Sequence, residues 1–183
     1  MRTSDGDTIV AMLKDPLRRE AGFRKLMSEY GDRLYWHVRR IVVGHDDAED
    51  VMQETAINIY KYASTFKGEC SLTTWIYKIA TNESLKWLKK HGGTSGSADF
   101  DSAVLADKIA VENDLDEKSA VVLFQKAVLT LPAQQRIAFN MRYYDELPYE
   151  EISKITGKSV STLKTNYHFA VEKISNYLKE NSI

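Results

Sequence analysis

The sequence has few residues that form disulfides or break helices, and it lacks the long apolar segments that cross membranes. It contains one cysteine, Cys70, and three prolines in 183 residues. A single cysteine excludes an internal disulfide framework and agrees with a reducing compartment. No apolar run approaches the roughly 20 residues that span a bilayer, so we expect no membrane insertion. The polar segment 1–7 lacks the features of a secretory signal, which predicts a cytoplasmic protein.

An excess of positive charge is also lacking. The formal net charge is −1 at pH 7, whereas proteins that bind DNA usually carry a basic excess. The acidity is local, because residues 92–128 hold seven acidic and three basic groups, while the flanking parts are near neutral. Any binding to DNA should therefore be modest in isolation and helped by a partner.

Motifs that carry catalysis are missing as well. There is no P-loop, no glycine-rich turn between a strand and a helix, and no plausible catalytic triad. Carboxylates recur at helical spacing from Asp46 to Glu54, but no Glu-x-x-His companion completes a di-iron site. The four histidines are scattered, and we interpret them as surface or satisfied structural residues: His37, His45, His91 and His168. We expect no catalytic residue, no metal and no cofactor.

What the sequence does contain is helical periodicity. No segment shows the sustained two-residue alternation of a strand. The one Gly/Ser cluster, at 91–99, is typical of a flexible connection. We therefore predict an all-α protein in which two small helical domains, 8–91 and 117–181, are joined by a flexible acidic linker at 92–116.

A bundle of three or four helices is predicted in the first domain, and the bounds of three of them can be read from the sequence. The first runs from about 21 to 43. The second begins at Asp46, which we expect to cap the helix together with Glu49 as a capping box. The third begins near Ser71 and buries a stripe that includes Trp75, which we interpret as a core residue.

The second domain has the pattern of a helix-turn-helix. A break at Leu131-Pro132 separates its first two helices, and a short helix then starts with Pro148 at an N-terminal position. Gly157 can adopt the left-handed conformation that ends this helix. A longer helix follows from about Ser159, as in the helix-turn-helix plan.

Several motifs occur in order along the chain, at 47–55, 66–68, 74–82, 131–136, 149–152 and 161–165. Together they resemble the motifs of small sigma-70-family factors of the extracytoplasmic-function (group IV) type. The segment 47–55 resembles region 2.2, 66–68 with 74–82 resembles regions 2.3 and 2.4, and the last three segments resemble region 4. The resemblance implies a factor that binds core RNA polymerase, through its β′ clamp and β subunit, and directs initiation at promoter DNA.

The resemblance assigns polymerase binding to the helix that begins near Asp46. Its polar face, turned away from the core stripe, would pair with basic residues of the β′ clamp and comprises Asp47, Asp50, Gln53 and Glu54. The alternative is a solvated acidic face, because carboxylates are favoured near a helix N-terminus in any case.

The resemblance also assigns recognition of the −10 element, a melted strand with a captured base, to residues 65–89. The residues expected to contact DNA there are Phe66, Lys67, Tyr77, Lys78, Asn82, Lys86 and Lys89, with Thr74 and Thr81 on the same exposed face. Phe66 could instead belong to the core. Trp87 could pack beside Trp75 or border the DNA. Cys70 is interpreted as an ordinary loop residue.

The last helix would read the −35 element with side chains in its first turns. These are Ser161, Thr162, Lys164, Thr165 and His168. The sequence departs from the family at Asn166 and Phe169, which stand where relatives usually carry arginine. Phosphate anchoring and guanine readout are therefore expected to be weak.

Two other interpretations remain open. One is a helix-turn-helix DNA-binding regulator that is not a polymerase subunit; it leaves the acidic helix and the 65–89 region unexplained. The other is a sigma factor whose DNA targeting is supplied by a separate recruiting protein. The resemblance further allows an anti-sigma factor as a partner, which the sequence does not identify.

Overall fold

A computed structural model describes residues 5–91 and 120–181. The first helical group, residues 5–91, contains four α-helices: α1 (Asp5–Lys14), α2 (Arg19–Val42), α3 (His45–Tyr62) and α4 (Leu72–His91). A 3-10 turn at Ala63–Thr65 follows α3. The second helical group, residues 120–181, contains α5 (Ala120–Leu129), α6 (Ala133–Tyr143), α7 (Tyr149–Thr156) and α8 (Val160–Asn181). Among the described residues there is no strand, so the predicted all-α class is confirmed.

The start of α3 differs from the prediction. Gly44, with φ −70° and ψ 140°, is the N-cap residue, and its carbonyl accepts a hydrogen bond from the Ala48 backbone at 3.0 Å. Asp46 lies inside the first turn instead of capping the helix, so the predicted Asp46–Glu49 capping box is wrong. The Asp46 carboxylate is still favourable there, because it faces the positive end of the helix dipole.

The start of α4 agrees with the prediction. The Ser71 hydroxyl accepts a hydrogen bond from the Thr74 backbone N–H at 3.0 Å, which is the bond of a serine N-cap. The helix then continues to His91, beyond Trp87, and its last turn carries Lys89 and Lys90, which favour the negative end of the dipole.

The turn predicted between α7 and α8 is present. Gly157 has φ 73°, in the left-handed region, and its N–H donates to the Ser153 carbonyl at 2.8 Å. Pro148 precedes α7 at the N-cap position, and the Ser159 hydroxyl accepts from the Thr162 N–H at 3.1 Å to cap α8. These local signals favour the helix-turn-helix because the ends of a helix leave backbone N–H and C=O groups without hydrogen-bond partners inside the helix.

Just after the end of α6, Glu146 has a left-handed backbone conformation that residues other than glycine rarely adopt. Glu146 has φ 54°, and the Leu147 N–H donates back to the Met141 carbonyl at 3.0 Å. This bond joins residues six positions apart, and the positive φ with which the chain turns back at Glu146 is a conformation that usually belongs to glycine. It fixes the backbone of Asp145 at the helix end.

A single apolar core runs through both helical groups. Its members from α6 to α8 pack into the same cluster as those of α1 to α4 and are Ile137, Ala138, Met141, Leu147, Ile152, Ile155 and Leu163. A second, smaller cluster lies within the second group, around Phe139 and Ala170.

The predicted linker at 92–116 lies outside the described residues, and the predicted domain limits stay predictions. Across the described ranges, no helix is long and apolar enough to span a bilayer.

Candidate nucleic-acid interface

The polar face of α3 is open to solvent. Asp50, Gln53 and Glu54 are exposed and Asp47 is half-buried, while Val51 and Thr55 of the same helix are buried. The Thr55 hydroxyl turns inward and donates to the Val51 carbonyl at 2.7 Å. The helix therefore separates a buried stripe from an acidic face, as the sequence predicted.

A cationic face lies on α4. Lys78, Asn82, Lys86 and Lys89 are exposed, and three of them line a groove that also contains Tyr62 at the end of α3. The ring of Tyr62 is about half exposed and lies under the Lys61 ammonium. An aromatic ring between cations is a suitable platform for a stacked base. Sequence reasoning missed Tyr62 because its position belongs to α3 and not to the motif of α4.

Part of the face predicted on α4 is not exposed. Thr74, Tyr77 and Thr81 are buried, at 1%, 0% and 3% exposure, so their expected solvent exposure is wrong in this arrangement. Tyr77 packs on the ring of His37 from α2, with centroids 4.8 Å apart. Desolvation by burial, with a smaller effect of the Asp145 charge, raises the pKa of Tyr77 to about 12. A role of Tyr77 on DNA stays a prediction.

The loop before α4 has one buried and several exposed side chains. Phe66 is 8% exposed and packs on Trp75 with ring centroids 5.0 Å apart, whereas Lys67 is exposed. Gly68 has φ 79°, so the chain turns sharply between them and Cys70. The alternative interpretation of Phe66 as a core residue therefore describes its packing, and Lys67 is one of the exposed side chains of this loop.

Trp87 borders the groove between α3 and α4. Its ring stacks on His91 with centroids 4.4 Å apart, and it lines a depression shared with the acidic residues of α3 and with Lys86 and Lys90. Trp87 is half-buried. Trp75 lies three turns earlier on the same helix, away from Trp87. Acidic and basic side chains thus meet in one groove at the edge of the α4 face.

The first turns of α8 present the predicted polar residues to solvent. All five residues predicted for −35 recognition are exposed: Ser161, Thr162, Lys164, Thr165 and His168. Leu163 and Ala170 anchor the opposite face, and the Asn166 carbonyl accepts from Gln135 Nε2 of α6 at 2.9 Å. Phe169 is half exposed beside His168.

The interface between the helical groups contains a polar cluster that the sequence did not reveal. His37 and Arg40 of α2 both contact Asp145, which is 108 and 105 positions away in the chain. His37 was predicted to be a surface or satisfied structural residue, and it is buried with both ring nitrogens in hydrogen bonds. Within the described ranges, no cluster of three or more His, Cys, Asp or Glu side chains could hold a metal ion.

Family models match both helical groups. The model described as Sigma-70 region 2 matches residues 26–94, and the model described as Sigma-70, region 4 matches residues 122–174. The acidic and cationic faces lie in the first match and the helix-turn-helix in the second. Fold and site together therefore define a sigma factor of the sigma-70 class.

Curated relatives narrow the class. The ECF RNA polymerase sigma-E factor of Escherichia coli (strain K12) is 30% identical over 167 residues, covering 86% of both chains. The ECF RNA polymerase sigma factor SigW of Bacillus subtilis (strain 168) is 28% identical over 168 residues, covering 86% of this chain and 89% of the relative. The chain belongs to the ECF RNA polymerase sigma factors, and it directs promoter-specific transcription as a polymerase subunit.

Two solved structures share the fold. CnrH in complex with the cytosolic domain of CnrY has a TM-score of 0.74 at 16% identity, covering 98% of this chain and 100% of that one. The sigma factor RpoE in complex with the anti-sigma factor NepR from Bartonella quintana has a TM-score of 0.66 at 21% identity, covering 86% and 96%.

Proposed function

We propose that the first helical group docks on the β′ clamp through the acidic face of α3. The observation that supports this is the exposure of Asp50, Gln53 and Glu54 on one helix face whose opposite side is buried. The face is complementary to a basic coiled coil, and charge complementarity of this kind fixes orientation and speeds association. Contact of the second helical group with the β subunit completes the proposed docking.

The cationic face of α4 and the loop at 65–71 then hold the melted −10 strand. Lys78, Lys86 and Lys89 supply phosphate contacts. Asn82 supplies hydrogen bonds to a base edge, and Lys67 is exposed in the loop. A single strand is bound by such a combination of cations and flat side chains. Polymerase carries out the chemistry, so the chain itself needs no catalytic group, metal or cofactor, and it acts in the cytoplasm.

The second helical group contacts upstream duplex through the start of α8. The exposed Lys164 and His168 lie near its N-terminus, which is the end of a recognition helix that reads base edges. Asn166 is half-buried, and its neutral side-chain amide lacks the charge with which an arginine would bind a phosphate. The weak −35 contact expected from the sequence therefore remains part of the proposal.

A second candidate concerns how the factor reaches its promoters. Phe169 presents an apolar ring to solvent where an arginine is expected, and this favours a protein contact there over a phosphate contact. A recruiting protein could then supply the targeting that α8 lacks. An anti-sigma factor is the other partner that we expect from the family.

Charge reversal tests the docking surface. The variant Asp50→Lys/Glu54→Lys should lose affinity for core RNA polymerase by on the order of 100-fold, because like charges would face each other across the interface. The control is Glu20→Lys/Asp32→Lys, which makes the same change in net charge at exposed positions of α2. Titration of labelled chain with core enzyme gives both affinities. Equal binding by the two variants would overturn the assignment of α3.

A further inference from the structure

The groove between the end of α3 and the face of α4 is built to receive a flat ring. Its volume of about 490 Å³ lies within the range of roughly 300–1,000 Å³ of pockets that hold small ligands. The half-buried side chains of Ile79 and Leu85 give it apolar walls, and the Tyr62 ring lines it from α3. Because Tyr62 is 45% exposed, much of its ring is open to a partner that stacks on it.

Cations surround this aromatic ring. Lys86 and Lys89 line the groove and are exposed, and the Lys61 ammonium lies 5.3 Å from the centroid of the Tyr62 ring. Cations attract phosphates, and an aromatic side chain stacks on any base because every base has a π face. The combination fits a nucleotide of a single strand better than an apolar segment of protein, which would bring no negative charge to the lysines.

The groove is joined by a short, bonded turn to the loop at 65–71, where the captured base is expected. Only the 3-10 turn at Ala63–Thr65 separates Tyr62 from Phe66. The Thr65 hydroxyl donates to the Tyr62 carbonyl at 2.8 Å. A 3-10 turn rises about 2 Å per residue, so the backbones of Tyr62 and Thr65 lie only roughly 6 Å apart. A strand held at the loop therefore brings a neighbouring nucleotide to Tyr62.

We infer that this groove binds a second unstacked base of the melted −10 strand, with Tyr62 as its stacking platform. The inference rests on the proposed role of residues 65–89 and adds a base site to the one at the loop. Asn82 lines the same groove and meets the edge of the base, while Lys86 and Lys89 meet the flanking phosphates.

Glu83 determines which bases the groove accepts. It lines the groove with its side chain 13% exposed, and its Oε1 atom accepts from Lys86 Nζ at 2.7 Å. A carboxylate only accepts hydrogen bonds, so Oε2 favours the amino group that adenine, cytosine and guanine carry. Thymine has carbonyl oxygens on both sides of its N3–H, and these repel a carboxylate. The groove therefore prefers an amino-bearing base to thymine.

Abasic sites in the promoter test the stacking. On a promoter mapped by run-off transcription, each nucleotide of a single-stranded −10 segment is replaced in turn by an abasic site, and holoenzyme binding is titrated. Tyr62→Ala should weaken binding to the intact strand about tenfold. One abasic position should weaken the parent about as much and leave Tyr62→Ala unchanged, because its stacking partner is already gone. Additive losses at every position would overturn the inference.

Two variants control for the loss of the tyrosine. Tyr62→Phe keeps the ring and should bind like the parent. Tyr60→Ala removes a tyrosine that is 42% exposed and packs edge-on against Phe23, outside the groove, and it should also bind like the parent. Tyr62→Ala should keep the parent's affinity for core enzyme; a loss there would assign Tyr62 to a protein contact and overturn the inference. Failure of the proposed −10 role would look different, because Lys67→Ala/Lys78→Ala would then bind the strand like the parent.

Base substitution at the position identified by the abasic sites tests Glu83. Thymine in place of cytosine should weaken binding by the parent about fivefold, and Glu83→Gln should reduce this difference to within about twofold, because an amide can pair with either base. Asp32→Asn, at an exposed position of α2, controls for the lost charge and should keep the parent's preference. An equal thymine penalty in the parent and Glu83→Gln would overturn the role of Glu83.

Discussion

The ring of Phe66 packs against the ring of Trp75, with centroids 5.0 Å apart and planes inclined by 41°. Lys67, the next residue, points to solvent. Two adjacent residues of the loop that precedes α4 therefore have different environments, one packed and one exposed. Phe66 holds the loop to the helix, and Lys67 is free to approach a phosphate.

This division gives the first prediction. Phe66→Ala should lower the free energy of unfolding by about 3 kcal/mol, because it leaves a cavity against Trp75. Lys67→Ala should leave the unfolding free energy within about 0.5 kcal/mol, since the side chain is exposed. Chemical denaturation measures both. In open complexes probed with permanganate, Lys67→Ala should reduce promoter melting; unchanged melting would remove Lys67 from the DNA contact.

The close approach of α1 and α2 gives a second prediction. A Cβ at Gly22 would lie 2.7 Å from the Met12 Cβ and 3.0 Å from the Leu13 backbone nitrogen. Gly22→Ala should therefore destabilise the fold by about 2 kcal/mol, because neither neighbouring atom can move independently. Gly31→Ala in the same helix meets only the end of Met27 at 3.6 Å and should stabilise it by about 1 kcal/mol. Thermal unfolding compares the two, and a stabilising Gly22→Ala would contradict the packing of α1 on α2.

The end of α6 gives a third prediction. Glu146 has φ 54°, and glycine adopts this conformation without the steric cost of a Cβ. Glu146→Gly should raise stability by about 0.5–1 kcal/mol, or about 2 °C in Tm. Gly157→Ala, at φ 73°, is the reverse change and should lower stability by about 1 kcal/mol. A destabilising Glu146→Gly would show that the Glu146 side chain matters more than its backbone.

Upstream recognition gives a fourth prediction. Lys164→Ala/His168→Ala should weaken upstream promoter contact severalfold in footprints of the holoenzyme, because both side chains are exposed near the start of α8. The control is Lys173→Ala/Lys179→Ala, which alters two exposed cations further along the same helix. If transcription is unaffected by the first variant, α8 is not the targeting element and a recruiting protein becomes the better explanation.

Apart from α1, which was not predicted, the helices could be predicted from the sequence because their signals are local. The apolar spacing of α3, the serines that cap α4 and α8, and Gly157 each act within a few residues. The start of α3 was misassigned because Gly44 caps by backbone conformation alone, while Asp46 has the more familiar side chain for a cap.

The interface between the helical groups could not be predicted. His37 and Asp145 are 108 residues apart, and nothing local in either segment indicates the other. Thr74, Tyr77 and Thr81 are polar or amphipathic, so their stripe resembled a solvent face, although all three are buried and Tyr77 and Thr81 contact His37 of α2. Polar residues buried by such packing carry no apolar periodicity that a sequence would show.

Run-off transcription with purified core RNA polymerase tests the central claim most directly. Core enzyme alone should give little specific product on fragments of the source genome. Addition of this chain should produce transcripts with defined 5′ ends, and mapping of those ends should reveal a shared promoter sequence upstream. Asp50→Lys/Glu54→Lys should abolish these products. Transcripts that are the same with and without the chain would contradict the account.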